Sequence, residues 1–227
     1  MAIVLLVRHG RTTANSAGIL AGRSPGVLLD DTGHDQAARM GQRLADVPLV
    51  RVVTSPLERC RQTSQAILDR QENAVDLVVD EAITECDYGR WQGRELKELA
   101  DEPLWSTVQT QPSAAVFPEG ESLAAMQARA VAAVRRIDAA VEAEHGPSAA
   151  WAAVSHGDII KSVLADALGM HLDLFQRLHA DPASVSIVRY GRQRPDVVCS
   201  NSSAGELGWL RSVRETEDAP VGGGAGH

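Results

Sequence analysis

Short apolar runs alternate with helix-forming segments along most of this chain, and this alternation constrains the fold more than any other feature. Residues 2–7 (AIVLLV) form a continuous apolar run, which is typical of a strand buried on both faces of a parallel sheet. Similar runs predict five further strands, at residues 50–54, 77–79, 151–155, 184–190 and 197–200. Strands that alternate with helices predict an α/β fold, a three-layer sandwich in which helices flank a largely parallel sheet.

Local signals predict where the main helices begin. Thr32 is expected to be the N-cap of a helix over residues 32–46. The motif SPLE at residues 55–58 places a serine N-cap and a proline before a second helix that ends near residue 70. Another helix is expected over residues 158–168. Apolar side chains that recur every three or four positions predict a long amphipathic helix; they are Leu123, Met126, Ala130, Val134, Ile137 and Val141.

The predicted elements form a single domain over residues 1–214. Residues 92–120 are polar, contain prolines and lie between elements, so we expect a cap-like insertion over a site. Residues 215–227 (ETEDAPVGGGAGH) are acidic and then glycine-rich, a composition that predicts disorder.

Composition limits the classes of function. With 227 residues and 44% hydrophobic side chains, the chain can form one sizeable core. A net charge of −8 argues against a general nucleic-acid surface, although a local group of arginines could still bind an anion. Cys60, Cys86 and Cys199 form no CxxC pair, which favours free thiols in a reducing compartment. No leader is recognised and no apolar run approaches the roughly 20 residues of a membrane span, so we expect a cytoplasmic protein without membrane contact.

Two histidine-glycine turns follow predicted strands. Arg8-His9-Gly10 comes directly after the first strand, and Ser155-His156-Gly157 comes after another strand and opens a helix. Arg59 lies one turn into the helix that follows a third strand. Because ligands of open α/β sheets bind beyond the carboxyl ends of strands, we expect these side chains to share one site.

Histidines and arginines in one site favour phosphoryl transfer. An imidazole can attack phosphorus and form a covalent intermediate, and forked guanidinium donors match phosphoryl oxygens. Such a site needs no metal, and neither a metal nor another cofactor is expected. No HExxH motif or Walker loop occurs, and His171 and His179 are isolated.

Several further motifs occur in order along the chain. They are Arg8-His9-Gly10 with Thr12 and Asn15, the segment LDDTG at 29–33, TSPLERCRQT at 54–63, ECDYGRWQG at 85–93, PEGES at 118–122, and Ser155-His156-Gly157. With these motifs the chain resembles the histidine phosphatase superfamily, in its phosphoglycerate-mutase-like branch, over about residues 3–203. The resemblance implies a phosphoglycerate-mutase-like fold.

The resemblance also implies roles for individual residues. His9 would be the phosphorylated nucleophile. Glu85 would protonate the leaving alcohol, which departs poorly as an alkoxide, and would then act as the base for water. The phosphoryl oxygens are expected to bind the side chains of Arg8, Arg59, His156 and Asn15. Thr12, from the same motif as His9, is included among the substrate-binding residues.

Some positions leave alternatives open. Arg11 stands where many members of the family carry Glu, and it either adds positive charge beside the pocket or points into solvent. Arg23 either reaches the substrate or is solvated. Asp30-Asp31 departs from the usual Leu-Thr segment, so the loop there is not predicted in detail.

The expected substrate is a small phosphomonoester, and hydrolysis is favoured over mutase activity. Phosphoglycerate mutases carry a longer and more basic insert after the acid-bearing segment, whereas residues 93–120 contain only Arg94 and Lys97 as cations. The PEGES segment also resembles the phosphatases. A non-catalytic phospho-ligand-binding module on the same fold is the alternative of another class. A homodimer is expected by analogy, without an interface residue that can be named.

Overall fold

The computed structural model describes residues 2–191 and 193–203 together with Gly222. The strands in this part of the chain are β1 (Ile3–Arg8), β2 (Leu49–Thr54), β3 (Asp76–Val79), β4 (Ala150–Ser155), β5 (Val185–Tyr190) and β6 (Pro195–Ser202). The α-helices are α1 (Thr13–Ser16), α2 (Asp31–Leu44), α3 (Glu58–Leu68), α4 (Leu96–Leu99), α5 (Pro103–Thr110), α6 (Leu123–His145) and α7 (Gly157–Ala167). Short 3-10 helices lie at Glu81–Ile83, Gly89–Trp91, Pro112–Ala114 and Leu172–Arg177.

The strands form one sheet in the order β3-β2-β4-β1-β5-β6. The strands β3, β2, β4 and β1 are parallel to their neighbours, whereas β5 is antiparallel to β1 and β6 is antiparallel to β5. The sheet is therefore mixed, with its antiparallel part at one edge. Each predicted strand is present within one or two residues of its expected bounds.

Helices cover both faces of the sheet, which confirms the predicted sandwich. The pleat sends Val4 and Leu6 of β1 into a core shared with α6 and α7, and it sends Leu5 and Val7 into a second core shared with α2 and α3. Full burial of each such side chain contributes about 1.5–3 kcal/mol. Because β1 is buried on both faces, its sequence is continuously apolar instead of alternating.

The N-cap of α2 differs from the prediction. Asp30 has extended backbone angles, and its Oδ1 accepts the N–H of Gly33 at 2.7 Å. Thr32 already lies within the helix, and its hydroxyl accepts a hydrogen bond from Arg11. The prediction of Thr32 as N-cap is therefore wrong.

The start of α3 also differs. The helix begins at Glu58 after Leu57, whose side chain makes no capping bond, and it ends at Leu68. Ser55 follows β2 directly, and residues 55–57 carry the chain out of the strand before the helix starts. The prediction of Ser55 as N-cap is wrong, because its hydroxyl faces the site.

Residues 92–120 contain α4, α5 and a 3-10 turn. Leu99, Val108 and Phe117 are fully buried in the core that also contains α6 and α7. The polar composition of this segment thus conceals apolar anchors that join it to the main body.

Of the residues 215–227 predicted to be disordered, only Gly222 is described, and the others lie outside the described residues. Within the described ranges, no helix combines the length and apolar character that a bilayer crossing requires.

Candidate active site

The carboxyl ends of three neighbouring strands bring the predicted residues together. β4 lies between β1 and β2, and the register pairs Arg8 with Ser155. The next residues, His9 and His156, therefore leave the sheet side by side, with ring centroids 5.2 Å apart. The main-chain N–H of His9 donates to the carbonyl of Ser155 at 3.0 Å.

Two glycines allow the loop after His9 to pack directly against α2. A Cβ atom at Gly10 would lie 2.4 Å from the carbonyl oxygen of Gly33, and one at Gly33 would lie 1.9 Å from that of Arg11. Both distances are far shorter than any real contact of a Cβ atom. Glycine at these two positions lets the helix approach the loop backbone to backbone.

The hydrogen bonds of His9 define its tautomer. Nδ1 lies 2.7 Å from the carbonyl oxygen of Gly10, which can only accept, so Nδ1 carries the hydrogen. Nε2 accepts a hydrogen bond from Nε of Arg59 at 3.3 Å. The unprotonated Nε2 is therefore the nitrogen that can act as a nucleophile.

Burial also keeps His9 neutral. Its side chain is buried, and desolvation lowers the pKa of His9 well below 6.5, with further lowering by the charges of Arg59 and Arg8. The hydrogen bond to Gly10 acts in the opposite direction but does not outweigh these effects. Near neutral pH the ring is uncharged, as a nucleophilic imidazole must be.

Arg59 is a buried cation with unused hydrogen-bonding capacity. Its Nη2 donates to the carbonyl of Gly22 at 2.7 Å and contacts Nδ1 of His156 at 3.3 Å. Its Nη1 is buried without a hydrogen-bond partner in the described part of the chain. Buried donors are nearly always paired, so an unpaired guanidinium nitrogen beside a cleft is a place for an anion.

His156 is fully buried between Arg59, Ser55 and Glu85. Its Nε2 lies 2.8 Å from the hydroxyl of Ser55, and its Nδ1 lies 3.9 Å from Oε2 of Glu85. Desolvation, followed by the charge of Arg59, lowers the pKa of His156 well below 6.5. This ring is also neutral, and Ser55 can accept from it or donate to it.

Glu85 is the buried carboxyl group of the site. Its Oε1 accepts the N–H of Cys86 at 2.9 Å. Burial, reinforced by the negative charge of Asp158, raises the pKa of Glu85 to about 7. The bond from Cys86 and the two arginine charges partly oppose this rise. A carboxyl group that is partly protonated near neutral pH can donate a proton and later accept one.

A cleft of about 400 Å³, including the part open to solvent, connects these groups. One wall carries the polar residues His9, Arg59, Glu85, Asn15 and Thr12. The rest of the lining is mainly apolar and consists of Ile19, Leu20, Ala21, Gly22, Tyr88, Leu96 and Gly222. Leu96 belongs to the segment 92–120, which therefore contributes to the wall of the cleft.

Arg8 lies beside the cleft without lining it. It is fully buried, and its Nη1 donates to the carbonyl of Ala180 at 2.7 Å. Its Nη2 lies 3.4 Å from the carbonyl of Gly222, which itself lines the cleft. The positive charge of Arg8 is thus held next to His9.

Thr12 and Asn15 both line the cleft and form a capping box at the start of α1. Oδ1 of Asn15 accepts from the N–H and the hydroxyl of Thr12, at 3.1 and 2.9 Å. Since the amide oxygen is occupied, the amide nitrogen of Asn15 is the atom that can donate to a ligand.

Arg11 and Arg23 are not part of the lining. Nε of Arg11 donates to Asp30 at 2.8 Å, so this side chain is paired on the outer side of the loop. Nε of Arg23 donates to the carbonyl of Glu85 at 2.8 Å, and its Nη2 donates to Glu121. The structure therefore places Arg23 behind the acid-bearing loop.

Tyr88 and Asp158 were not among the predicted site residues. Tyr88 is buried, and its hydroxyl donates to Oδ2 of Asp158 at 2.7 Å. Asp158 in turn forms a buried ion pair with Lys161 at 2.9 Å. The position of Asp158 directly after His156-Gly157 is the only sequence signal that could have indicated it. Among the described residues, no group of His, Cys, Asp or Glu is arranged to hold a metal ion.

Comparisons with known proteins agree with this geometry. A family model described as the histidine phosphatase superfamily (branch 1) matches residues 4–203. The chain is 31% identical over 187 residues to a probable phosphoglycerate mutase, GpmB, of Erwinia tasmaniensis, covering 82% of this chain and 83% of that protein. It is 30% identical to the adenosylcobalamin/alpha-ribazole phosphatase of Salmonella typhimurium, covering 73% and 79%.

A solved structure, Bacillus stearothermophilus YhfR, superposes with a TM-score of 0.80 at 24% identity, covering 89% of this chain and 98% of that one. At that identity the likeness supports the fold alone. The chain spans only about half the length of several other curated relatives that it matches.

Proposed function

This chain is an enzyme of the histidine phosphatase superfamily, branch 1, and from that membership we propose that it hydrolyses small phosphomonoesters through a phosphohistidine on His9, without a metal or other cofactor. The observation that carries the proposal is the state of two neighbouring groups: Nε2 of His9 is unprotonated and accepts from Nε of Arg59, while the buried Nη1 of Arg59 has no partner within the described ranges. A phosphoryl group beside His9 would supply the oxygen that this donor lacks.

In the first step, the lone pair on Nε2 of His9 attacks phosphorus and the bond from phosphorus to the alcohol oxygen breaks. Protonated Glu85 gives its proton to the departing oxygen. The oxygens of the transferring group accept hydrogen bonds from protein donors; we assign these to Arg59, Asn15 and His156. Arg8, which does not line the cleft, is assigned the role of a buried positive charge next to His9 that attracts the same oxygens. In the free site Nη2 of Arg59, which can only donate, faces Nδ1 of His156 at 3.3 Å. His156 can present Nδ1–H to an oxygen once this guanidinium turns to the phosphoryl group, because the hydroxyl of Ser55 can then donate to its Nε2.

In the second step, a water oxygen attacks phosphorus and the carboxylate of Glu85 accepts a proton from that water. The nitrogen–phosphorus bond breaks, Nε2 regains its lone pair and inorganic phosphate leaves. The pKa of Glu85, raised to about 7 by burial, suits both proton transfers because neither protonation state is strongly disfavoured near neutral pH.

The relatives are named both as phosphatases and as a mutase, so the acceptor must be argued from the cleft. Among the described lining residues, Arg59 is the sole cation, and it faces the site of the transferring group. Arg11 and Arg23 are paired elsewhere, which supports an uncharged organic part for the substrate. A phosphoglycerate carries a carboxylate that would lack a partner on this wall, and this supports hydrolysis over mutase activity.

The test is phosphate release by metal-free protein. We expect His9→Ala to lower kcat by about 10³-fold or more, because the nucleophile is absent. Radioactive phosphoryl groups from substrate should label the wild-type protein in a form that is labile to acid and stable to base. His34→Ala, which alters an exposed histidine on α2, is the control and should retain full activity. Activity of the His9 variant, or loss of wild-type activity in a chelator, contradicts the proposal.

We also propose a cytoplasmic location and a homodimer. The location is supported by Cys60, Cys86 and Cys199, which are all free. The dimer is proposed by analogy. Sedimentation velocity of the purified protein over a range of concentrations measures its mass and tests the dimer.

A further inference from the structure

The loop that carries Glu85 is held by a cluster of charged residues outside the cleft. Arg129 on α6 donates through Nη1 to the carbonyls of Ala82 and Thr84, at 2.9 and 2.8 Å. Its Nη2 donates to the carbonyl of Glu85 at 3.0 Å. A single guanidinium thus binds three main-chain oxygens within four residues of the loop.

Glu121 holds that guanidinium in place. Nε and Nη2 of Arg129 donate to the two carboxylate oxygens of Glu121, at 3.0 and 2.5 Å. Arg23 bridges the same two partners, since it donates to the carbonyl of Glu85 at 2.8 Å and to Glu121 at 3.0 Å. The N–H of Asp87 also donates to Glu121, at 2.9 Å.

Two glycines make this close approach possible. A Cβ atom at Gly89 would lie 2.0 Å from the carbonyl of Pro118, and one at Gly120 would lie 2.3 Å from that of Asp87. The PEGES segment therefore packs backbone to backbone on the loop after Glu85. This contact accounts for a motif, residues 118–122, to which the proposed reaction assigns no chemical step.

We propose that Arg129, oriented by Glu121, is a positioning residue that holds the main chain of Glu85 so that its carboxyl group meets the leaving oxygen. The inference rests on the proposed role of Glu85. Proton transfer requires hydrogen-bond distance between heavy atoms, and displacement of a reacting group by 1 Å can cost about 100-fold in rate. A rigid, bidentate guanidinium suits this task better than a lysine would.

The cluster positions the loop without adding net charge beside the acid. Glu121 balances the charge of Arg129, and the carboxylate of Asp87, 3.9 Å from Nη1 of Arg23, balances the second cation. The side chains of Arg129 and Glu121 are only about one fifth exposed. The pKa of Glu85 accordingly remains raised by burial and by Asp158. Arg129 therefore acts by holding the loop in place. Its replacement should slow the protonation of the leaving group, and it should not weaken the binding of the phosphoryl group.

The experiment compares kcat/KM for an alkyl phosphate and an aryl phosphate. For each ester, kcat/KM reports the steps up to departure of the leaving group, so the later role of Glu85 as a base does not affect it. Glu85→Gln serves as the reference and should lose far more on the alkyl ester, whose leaving group needs protonation. We expect Arg129→Gln to reproduce this difference, with a loss of about 10- to 100-fold on the alkyl ester and less than about threefold on the aryl ester.

In the double variant, Arg129→Gln should add little to the loss already caused by Glu85→Gln, because both act on one proton transfer. Arg135→Gln is the matched control, since Arg135 lies on the same helix, is about half exposed and pairs with Asp166 of α7, away from the loop of Glu85. It should leave both substrates unaffected.

Equal losses of the Arg129 variant on both esters, or additive losses in the double variant, overturn the inference and indicate a merely structural role. If Arg129→Gln does not fold, Glu121→Gln should give the same difference on a smaller scale, and equal losses there have the same meaning. If Glu85→Gln itself does not discriminate between the esters, the proposed role of Glu85 fails first.

Discussion

At the scale of single residues, burial shifts the pKa values of a base and an acid in opposite directions. Desolvation penalises the charged form of any side chain, so it lowers the pKa of His9 and His156 and raises the pKa of Glu85. The same dry site therefore holds a neutral imidazole and a carboxyl group that is partly protonated near neutral pH. On the surface of the protein the carboxyl group would be almost fully ionised near neutral pH, and the imidazole would remain partly protonated.

These shifts predict the dependence of kcat/KM on pH for an alkyl phosphate. Glu85 must be protonated to act as an acid, so activity should fall as the pH rises through about 7. His9 must be neutral, and because its pKa is lowered, protonation should reduce activity only well below pH 6.5. In Glu85→Gln the residual kcat/KM should no longer fall as the pH rises through about 7.

The comparison is made on one substrate, because the phosphate ester has its own ionisation near pH 6. Glu81→Gln, an exposed change four residues upstream, is the control and should keep the wild-type profile. Persistence of the upper limb in the Glu85 variant contradicts the assignment.

At the scale of elements, the site depends on how each helix begins. The start of α2 crosses the loop after His9 at Gly10 and Gly33, and Asp30 caps the helix at this crossing. Asp30 also accepts from Arg11, so one carboxylate joins the helix to the loop. Because the cap is the carboxylate of Asp30 and not the predicted hydroxyl of Thr32, the packing of α2 on this loop depends on Asp30.

We expect Asp30→Ala to destabilise the fold by about 1 kcal/mol through loss of the cap, with a further contribution from the bond to Arg11. For a chain of this length, that change lowers the melting temperature by about 2–4 °C. Thr32→Ala removes only the bond from Arg11 and should cost less. Thermal unfolding followed by circular dichroism measures both, and a larger effect at Thr32 contradicts the assignment of the cap.

At the scale of the whole molecule, the cleft is formed by parts that are distant in sequence. His9 follows a strand, Arg59 belongs to α3 and Glu85 lies in a loop after a 3-10 helix, whereas most of the apolar lining comes from residues 19–22 and from Leu96. Five cations close to this lining in sequence, other than Arg59, pair with carboxylates; they are Arg11, Arg23, Arg90, Arg94 and Lys97. The lining thus suits a phosphoryl group beside His9 and Arg59 and an uncharged organic group against its apolar residues.

This arrangement predicts the order of substrates in a panel. A sugar phosphate without a second charge should exceed 3-phosphoglycerate in kcat/KM for phosphate release by about tenfold or more, because a charge without a partner loses at least about 1.5 kcal/mol of hydrogen bonding. A coupled mutase assay with bisphosphoglycerate should give turnover below the rate of phosphate release. Mutase turnover above that rate contradicts the preference for hydrolysis.

Much of this protein could be predicted from local pattern. Continuous apolar runs predicted the strands because burial on both faces leaves no polar positions, and the strand ends located His9, His156 and Arg59. Resemblance supplied the role of Glu85, whose local sequence carries no periodic signal. The N-cap at Thr32 was predicted wrongly because the carboxylate of Asp30 reaches the free N–H instead. The one at Ser55 was predicted wrongly because α3 starts three residues later and the Ser55 hydroxyl contacts His156.

The sequence by itself determined which residues can carry the chemistry, because side-chain type and strand position are local properties. Only the tertiary structure decided the protonation states of these residues and the hydrogen bonds that hold them in place. The pKa of Glu85 depends on burial and on Asp158, 73 positions away in the chain (158 − 85). The bonds from Arg129 to the loop of Glu85 likewise join residues 44 to 47 positions apart. Desolvation and hydrogen bonding act through space, and spacing along the chain does not encode them.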